Sequence, residues 1–451
     1  MCIRDRCNTA SSTKNYKQRE VAVDTVVACS TPFGSSALSV VRVSGPKTKG
    51  FIDSLQKKTK KIKHNVPFLS SFLDKDGVVF DEGIINVFFG PNSYTGEDLA
   101  EISCHGNPII VDQLISLACD FGCRTADPGE FTKRAYLNGK LDIAQAESVA
   151  SLISSRSLEG AKITYKNLGG KLSANISSSK KTLVSLVGEI EFNLDISEED
   201  LQPNLFTKSS KKILLLKNKM DEALEGFKKT NILNVGANVV IAGPTNAGKS
   251  TLFNLFLEEE RAIISKTPGT TRDVLQDTIN LEGMPVVLKD TAGIRKTKDK
   301  IEKAGIHKTQ KELFSADLVL FLGQRPKKTD ITANYIYIFN KSDIKSPASD
   351  KYDIKISALK GKNIKALKRL IIKKLSQKSS VTSFVLTSKR QVENIKLSKK
   401  HMEKALSGLS KETSLELVVE DLNSSIFYLD KITKKTTRED ILNSIFSSFC
   451  V

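Results

Sequence analysis

The sequence predicts a multidomain α/β and α+β architecture, and three observations point to it. Short β-branched runs separated by turns fill residues 21–138. Apolar residues at helical spacing lie on both sides of residues 234–378. Between them a strand, a glycine-rich loop and a helix follow one another directly. The expected domains are an α+β domain at 21–138, a helical domain built from 139–233 plus 379–451, and an inserted P-loop α/β domain at 234–378.

Residues 1–20 hold no apolar stretch of a secretory signal; a weak organelle-targeting segment is the alternative. They are read as an extension of doubtful origin and set outside the fold. The α+β domain is read from TVVAC (25–29), LSVVRV (38–43) and GIINVFF (83–89). From 141 the texture changes. Ile176, Leu183, Val187 and Ile190 recur at helical spacing, then Leu216, Met220, Leu224 and Phe227. After 378 the pattern resumes through Val392, Ile395, Met402, Leu406 and Leu409. Helices on both sides of a self-contained α/β domain indicate an insertion, with the flanking helices joined in one bundle that buries their stripes. Two separate helical pairs are the alternative.

Five motifs occupy the α/β domain in order. GPTNAGKS (243–250) follows the strand-like NVVIA (238–242) and opens a helix from Lys249 to Leu257. Such a loop wraps phosphates in backbone N–H groups at a helix N-terminus; its lysine adds charge on the terminal phosphates and its serine hydroxyl suits Mg²⁺. Asn246, Ala247, Gly248, Lys249, Ser250 and Thr251 are assigned to the nucleotide here. GTTRD (269–273) is read as closing over the nucleotide, with Thr271 beside Ser250 as the Mg²⁺ ligands. The assigned residues there are Ser265, Lys266, Thr267, Pro268, Gly269, Thr270 and Thr271. DTAG (290–293) ends the apolar run VVLKD; Asp290 can hold Mg²⁺ through water and Gly293 can offer its N–H to the γ-phosphate, with Thr291 and Ala292 between them.

The fourth motif, NKSD (340–343), follows YIYIF and contributes Asn340, Lys341, Ser342 and Asp343. A carboxylate at Asp343 can accept from the paired N1–H and N2–H₂ edge of guanine. Adenine lacks that edge, so the site rejects ATP. The fifth is Ser357-Ala358, with Leu359 beside it, which supplies a backbone contact to the guanine oxygen. Any one motif alone fits a ligand-free turn; five in order imply GTP binding and hydrolysis.

In Ras-like GTPases a glutamine directly after Asp-x-x-Gly orients the attacking water. Here that place holds Ile294, so another group must position the water. Positive charge near the β–γ bridge is also needed. Arg272, Arg295 and a monovalent cation held by Asn246 and the polar stretch 265–270 are the open alternatives.

Composition sets the outer bounds. The 451 residues are 39% hydrophobic, which is enough for real cores in two to four domains. No apolar run reaches membrane-spanning length, so no membrane partner and a cytoplasmic location are expected, ahead of import into an organelle. Seven scattered cysteines favour a reducing compartment over a disulfide framework. Cys104, His105, Cys119 and Cys123 fit no common zinc spacing. The net charge of +18 suits a nucleic-acid partner, although a solvated lysine surface gives the same total.

Outside the nucleotide motifs, SYTGEDLAEISCHG (93–106), PGEFTKRAYLN (128–138), LDIAQAE (141–147) and the tail IFSSFC (445–450) resemble the MnmE (TrmE) family of tRNA-modification GTPases, from about Asp24 to the C-terminus. The resemblance implies a homodimer built by the N-terminal domain and a GTPase domain inserted in a helical domain. It implies a heterotetramer with the flavoprotein MnmG. Together they would add a carboxymethylaminomethyl or aminomethyl group to C5 of the wobble uridine of certain tRNAs. It also implies that K⁺ replaces the arginine finger, on Asn246, Ser265, Thr267 and Thr270, and that Glu302 is the catalytic residue, orienting the water. The family's N-terminal domain resembles folate-dependent one-carbon enzymes and binds 5-formyltetrahydrofolate or a related tetrahydrofolate; the matching residues are Arg42, Glu101 and Lys140. A carboxylate suits the pterin edge and cations suit the glutamyl carboxylates. The family's functional thiol maps to Cys450, for which a core cysteine at a helix end is the plainer reading.

Three departures stand out. The family tail ends Cys, aliphatic, Gly, Lys, whereas this sequence ends at Val451, without the terminal lysine of the folate site. About seventeen residues separate Leu322 from Asn340, short for the family and consistent with a trimmed helix. GSSA (34–37) replaces a more glycine-rich loop. Two other functions share parts of this pattern: a ribosome-assembly GTPase of the Era or Der type, which has no reason to carry 93–147, and a folate- or tRNA-binding scaffold with a decayed GTPase.

Overall fold

The computed structural model describes residues 24–57, 61–194, 205–260, 276–290, 316–324, 334–344, 351–375, 384–410 and 415–434, with residues 313, 442, 445–447 and 449. The chain forms two compact units, Met1–Lys140 with Arg438–Val451, and Leu141–Thr437.

The first unit is α+β. Its strands are β1 (Val26–Cys29), β2 (Leu38–Ser44), β3 (Phe68–Leu73), β4 (Val79–Phe88), β5 (Leu99–His105) and β6 (Arg124–Thr125), in the order β3-β4-β5-β2-β1-β6. All pairings are antiparallel except β1 with β6. Alternate residues of these strands point inward, so Val41, Val43, Ile85, Val87, Ala100 and Ile102 form a core. Helices α1 (Thr48–Leu55) and α2 (Pro108–Asp120) supply Phe51, Ile52, Val111 and Leu114 to it. Asn107 caps α2 by accepting from Ile109 N, with Pro108 in its first turn, a common helix start. Helix α3 (Glu130–Leu137) belongs to the same unit.

Residues 438–451 are grouped with the helices by their sequence pattern, yet they share a unit with 1–140. The reason is aromatic packing: the Phe446 ring lies 6.2 Å from Tyr136 and 5.1 Å from Phe449. Gly129 permits it. Its φ is +68°, and a Cβ there would stand 2.7 Å from the Phe446 carbonyl oxygen.

The second unit begins with α4 (Ile143–Ile153), α5 (Leu158–Leu168), α6 (Lys171–Leu194) and α7 (Leu205–Val235). An α/β segment follows: β7 (Ala237–Ala242), α8 (Lys249–Glu260), β8 (Gln276–Leu281), β9 (Met284–Asp290), β10 (Leu318–Phe321), β11 (Tyr335–Phe339), β12 (Ile354–Lys355) and α9 (Ile364–Leu375). The chain then returns as α10 (Lys389–Ser410) and α11 (Leu415–Thr433). Ile176, Leu183, Ile190, Ile213, Met220, Ile395, Met402 and Leu422 share one core, so helices from before and after the α/β segment bury their stripes together. The α/β segment has its own sheet, β12-β11-β10-β7-β9-β8, parallel except for the β8–β9 pair. Strands buried on both faces read as continuous apolar runs, as NVVIA does. Among the described residues no helix is long and apolar enough to cross a membrane.

Candidate active site

The loop between β7 and α8 is at the C-terminal end of a parallel sheet, where open α/β folds bind ligands. Asn246 and Gly248 take positive φ, +62° and +92°, which turns the loop tightly into α8. Lys249 heads that helix. Its ammonium donates to the carbonyls of Gly243 at 3.1 Å and Pro244 at 2.8 Å, which keeps it over the loop. Ser250 donates to Asp290 Oδ2 at 2.9 Å. Asp290 ends β9, beside β7, and is buried. Two hard oxygen donors thus converge at a helix N-terminus, a donor set that suits Mg²⁺. Thr251 is exposed in the first turn of α8.

The motifs at 340–343 and 357–358 meet the same loop from the other side. Asn340 follows β11; its Nδ2 donates to the Ala247 carbonyl at 2.9 Å, and its Oδ1 accepts from Ala358 N at 3.0 Å. One side chain therefore ties the phosphate loop to the 357–358 turn. Lys341 donates from Nζ to the Asn246 carbonyl at 2.9 Å. Ser357 is buried, whereas Leu359 is exposed. A hydrogen bond from Ser357, followed by smaller contributions that include the Lys360 and Lys341 charges, holds the Asp343 carboxyl below the usual aspartate range. At neutral pH it is the pure acceptor that guanine's donor edge requires. Ser342 Oγ is buried without a hydrogen-bond partner among the described residues.

In the first unit Arg42 and Glu101 face each other across β2 and β5. Arg42 donates to Glu101 Oε1 from Nη2 at 2.5 Å and from Nε at 3.2 Å. Its guanidinium also stands 5.7 Å from the Tyr94 ring and 5.4 Å from the Phe131 ring. Lys140 donates to the Pro91 carbonyl at 3.0 Å. The fold thus joins Arg42 to Glu101 and sets Lys140 near the start of the loop that carries Tyr94. An ion pair walled by aromatic rings is compatible with a planar, hydrogen-bonding heterocycle.

Residues 25–140 match the model of the GTP-binding protein TrmE N-terminus, and residues 143–450 match the MnmE helical domain. A tRNA modification GTPase MnmE of Aquifex aeolicus is 37% identical over 449 residues, 94% of this chain and 99% of its own. That of Thermotoga maritima is 34% identical, covering 95% of this chain and all of its own, and that of Koribacter versatilis is 35% identical over 95% and 99%. The chain belongs to the MnmE family of tRNA modification GTPases. It is accordingly a GTP hydrolase.

Of the nucleotide residues assigned from this sequence, Asn246, Ala247, Gly248, Lys249, Ser250, Asp290, Asn340, Lys341, Asp343, Ser357 and Ala358 converge as set out above. Ser265, Lys266, Thr267, Pro268, Gly269, Thr270, Thr271, Thr291, Ala292, Gly293, Glu302 and Cys450 lie outside the described residues. The structure adds what motif spacing does not carry. Arg134, nearly buried, donates to Asp24, Glu97 and Glu130. Arg124 pairs with the same Glu130 and Asp24. Burial raises Glu130, but hydrogen bonds from Arg124, the Asp127 N–H and Arg134 outweigh it, and its carboxyl sits below the usual glutamate range. Glu97, Glu130 and Arg134 all fall within the two N-terminal strings that carry the family resemblance, the one signal that marked them.

Proposed function

We propose that this chain is a potassium-stimulated GTPase. With the flavoprotein MnmG it adds a carboxymethylaminomethyl or aminomethyl group to C5 of the wobble uridine of certain tRNAs. It works in the cytoplasm as a homodimer built by residues 21–138, and the GTPase domain spans 234–378. The observation that supports this most is the continuity of the match: N-terminal and helical family regions flank one guanine-type loop set, in relatives aligned over nearly their whole length. A ribosome-assembly GTPase would have no use for the N-terminal unit.

In this reading Lys249 and the 243–248 amides bind the β- and γ-phosphates, and Asp343 selects guanine. Ser250 and Thr271 would hold Mg²⁺, which, when bound, offsets charge on the phosphates. Asn246, Ser265, Thr267 and Thr270 would hold K⁺ in place of an arginine finger, and Glu302 orients the attacking water in place of the glutamine that Ile294 displaces. Arg42, Glu101 and Lys140 take a tetrahydrofolate, and Cys450 carries the family's thiol. The test is the nucleoside content of the wobble position in tRNA from cells lacking this chain. Loss of the C5 substituent, restored by the wild-type chain, is the expected result; an unchanged profile contradicts it. GTP turnover should be higher in KCl than in NaCl. Glu302→Ala should keep nucleotide affinity while turnover falls about 10²-fold or more.

A further inference from the structure

We propose that the outer face of α9 is a docking surface for the phosphate backbone of folded RNA, a proposal that rests on the tRNA reading above and locates one contact surface for it. Residues 351–375 contain nine lysines and arginines and one acid, Asp353, whose carboxylate accepts from Tyr337 N. In α9 the apolar positions Ile364, Leu367 and Ile371 are buried in the α/β core. Lys368 is turned inward to Glu259 at 2.7 Å. The exposed positions are Lys365, Ala366, Arg369 and Lys373, preceded by exposed Lys362. Residues four apart share a helix face, about 6 Å apart along the axis, so Lys365, Arg369 and Lys373 form one cationic row. Among the described residues no ion pair engages them.

Other lysine-rich helices of this chain differ. On α7, Lys212 pairs with Glu189 and Lys217 with Asp221; on α10, Lys399 pairs with Asp221. Their other lysines, among them Lys208, Lys211 and Lys219 on α7 and Lys396, Lys400 and Lys404 on α10, share their helices with exposed acids, Glu222 and Glu225 on α7 and Glu393 and Glu403 on α10, whereas α9 holds no acid. The negative C-terminal end of α9 accounts for Lys373 and Lys374, but not for Lys362, Lys365 and Arg369, which lie earlier. The row carries no aromatic or large apolar anchor of the kind that dominates protein interfaces. Its helix has no apolar face left for a lipid surface. An unbroken cationic row without side chains suited to reading base edges fits backbone phosphates, which position RNA without reading its sequence.

The test is a titration of the full-length protein with an unmodified tRNA transcript across a range of NaCl. For Lys365→Gln/Arg369→Gln/Lys373→Gln, affinity at low salt should fall about tenfold or more, and the slope of log K against log salt should flatten by about two to three. GTP turnover should stay at the wild-type level. Lys208→Gln/Lys211→Gln/Lys219→Gln, an equal charge change on α7, should bind as wild type, and Lys365→Arg/Lys373→Arg should also keep wild-type affinity. If the wild type binds tRNA and the α9 triple variant binds equally well, the surface is wrong while the tRNA reading stands. An equal loss in the α7 variant makes overall charge the cause and overturns the proposal. No tRNA binding by the wild type at low salt removes both.

Discussion

A methyl group added at Gly248 would sit 2.3 Å from Asn340 Nδ2, and the residue's φ of +92° is one that L side chains rarely adopt. Gly248→Ala must therefore push Asn340 off the Ala247 carbonyl or distort the loop. GTP affinity should drop about tenfold or more, as a strain of about 1–3 kcal/mol implies, read by direct titration. Asp343→Asn removes the anionic acceptor, and its preference for GTP over ATP should shrink at least about tenfold in competition. At this scale the sequence named residues such as Asn340, Arg42 and Glu101, but not their partners. The Asn340 bridge spans from Ala247 to Ala358, and the Arg42–Glu101 pair joins residues 59 apart. No spacing rule encodes such contacts, because sheet register and loop packing create them.

The helices show the same division. Their apolar stripes were visible as periodicity, because burying one face demands it. The polar clasp that fixes α4 against α10 was not. Glu147, buried on α4, accepts from Arg390 Nε at 2.7 Å and Nη2 at 2.9 Å, from Gln391 Nε2 at 2.6 Å and from Ser388 Oγ at 3.0 Å. LDIAQAE carries the family likeness and the start of α4, where Asp142 and Gln145 form a capping box, but its last residue gains its purpose only from α10. Glu147→Ala should destabilise the second unit by about 2 kcal/mol, discounted from the buried-pair range because Arg390 is partly exposed, as measured by urea unfolding. Residues 438–451 illustrate the opposite limit. Their pattern is helical, but the partner of Phe446 is Tyr136, a choice set by aromatic packing and by Gly129.

For the whole molecule, depressed carboxylates make acid a shared weakness, and the first unit shows how. Asp24, like Glu130, has its carboxyl held below the usual range: burial raises it, and bonds from Arg134 and Arg124 prevail. A depressed carboxylate contributes stability above its unfolded pKa and loses it as pH falls through the folded value. The first unit should therefore keep this contribution near neutrality and lose it progressively below about pH 4. Arg134→Leu should lower stability at pH 7 and reduce its acid dependence, as followed by thermal unfolding across pH. The place of residues 438–451 in the first unit, and the ionic lattice of that unit, required the fold. The claim on which the rest depends is that the 243–250 loop and Asp343 together form a guanine-selective triphosphate site. Competition titration of the purified protein with GTP and ATP tests it most directly. GTP should bind at least about a hundredfold more tightly, and equal affinity for the two nucleotides would contradict the account.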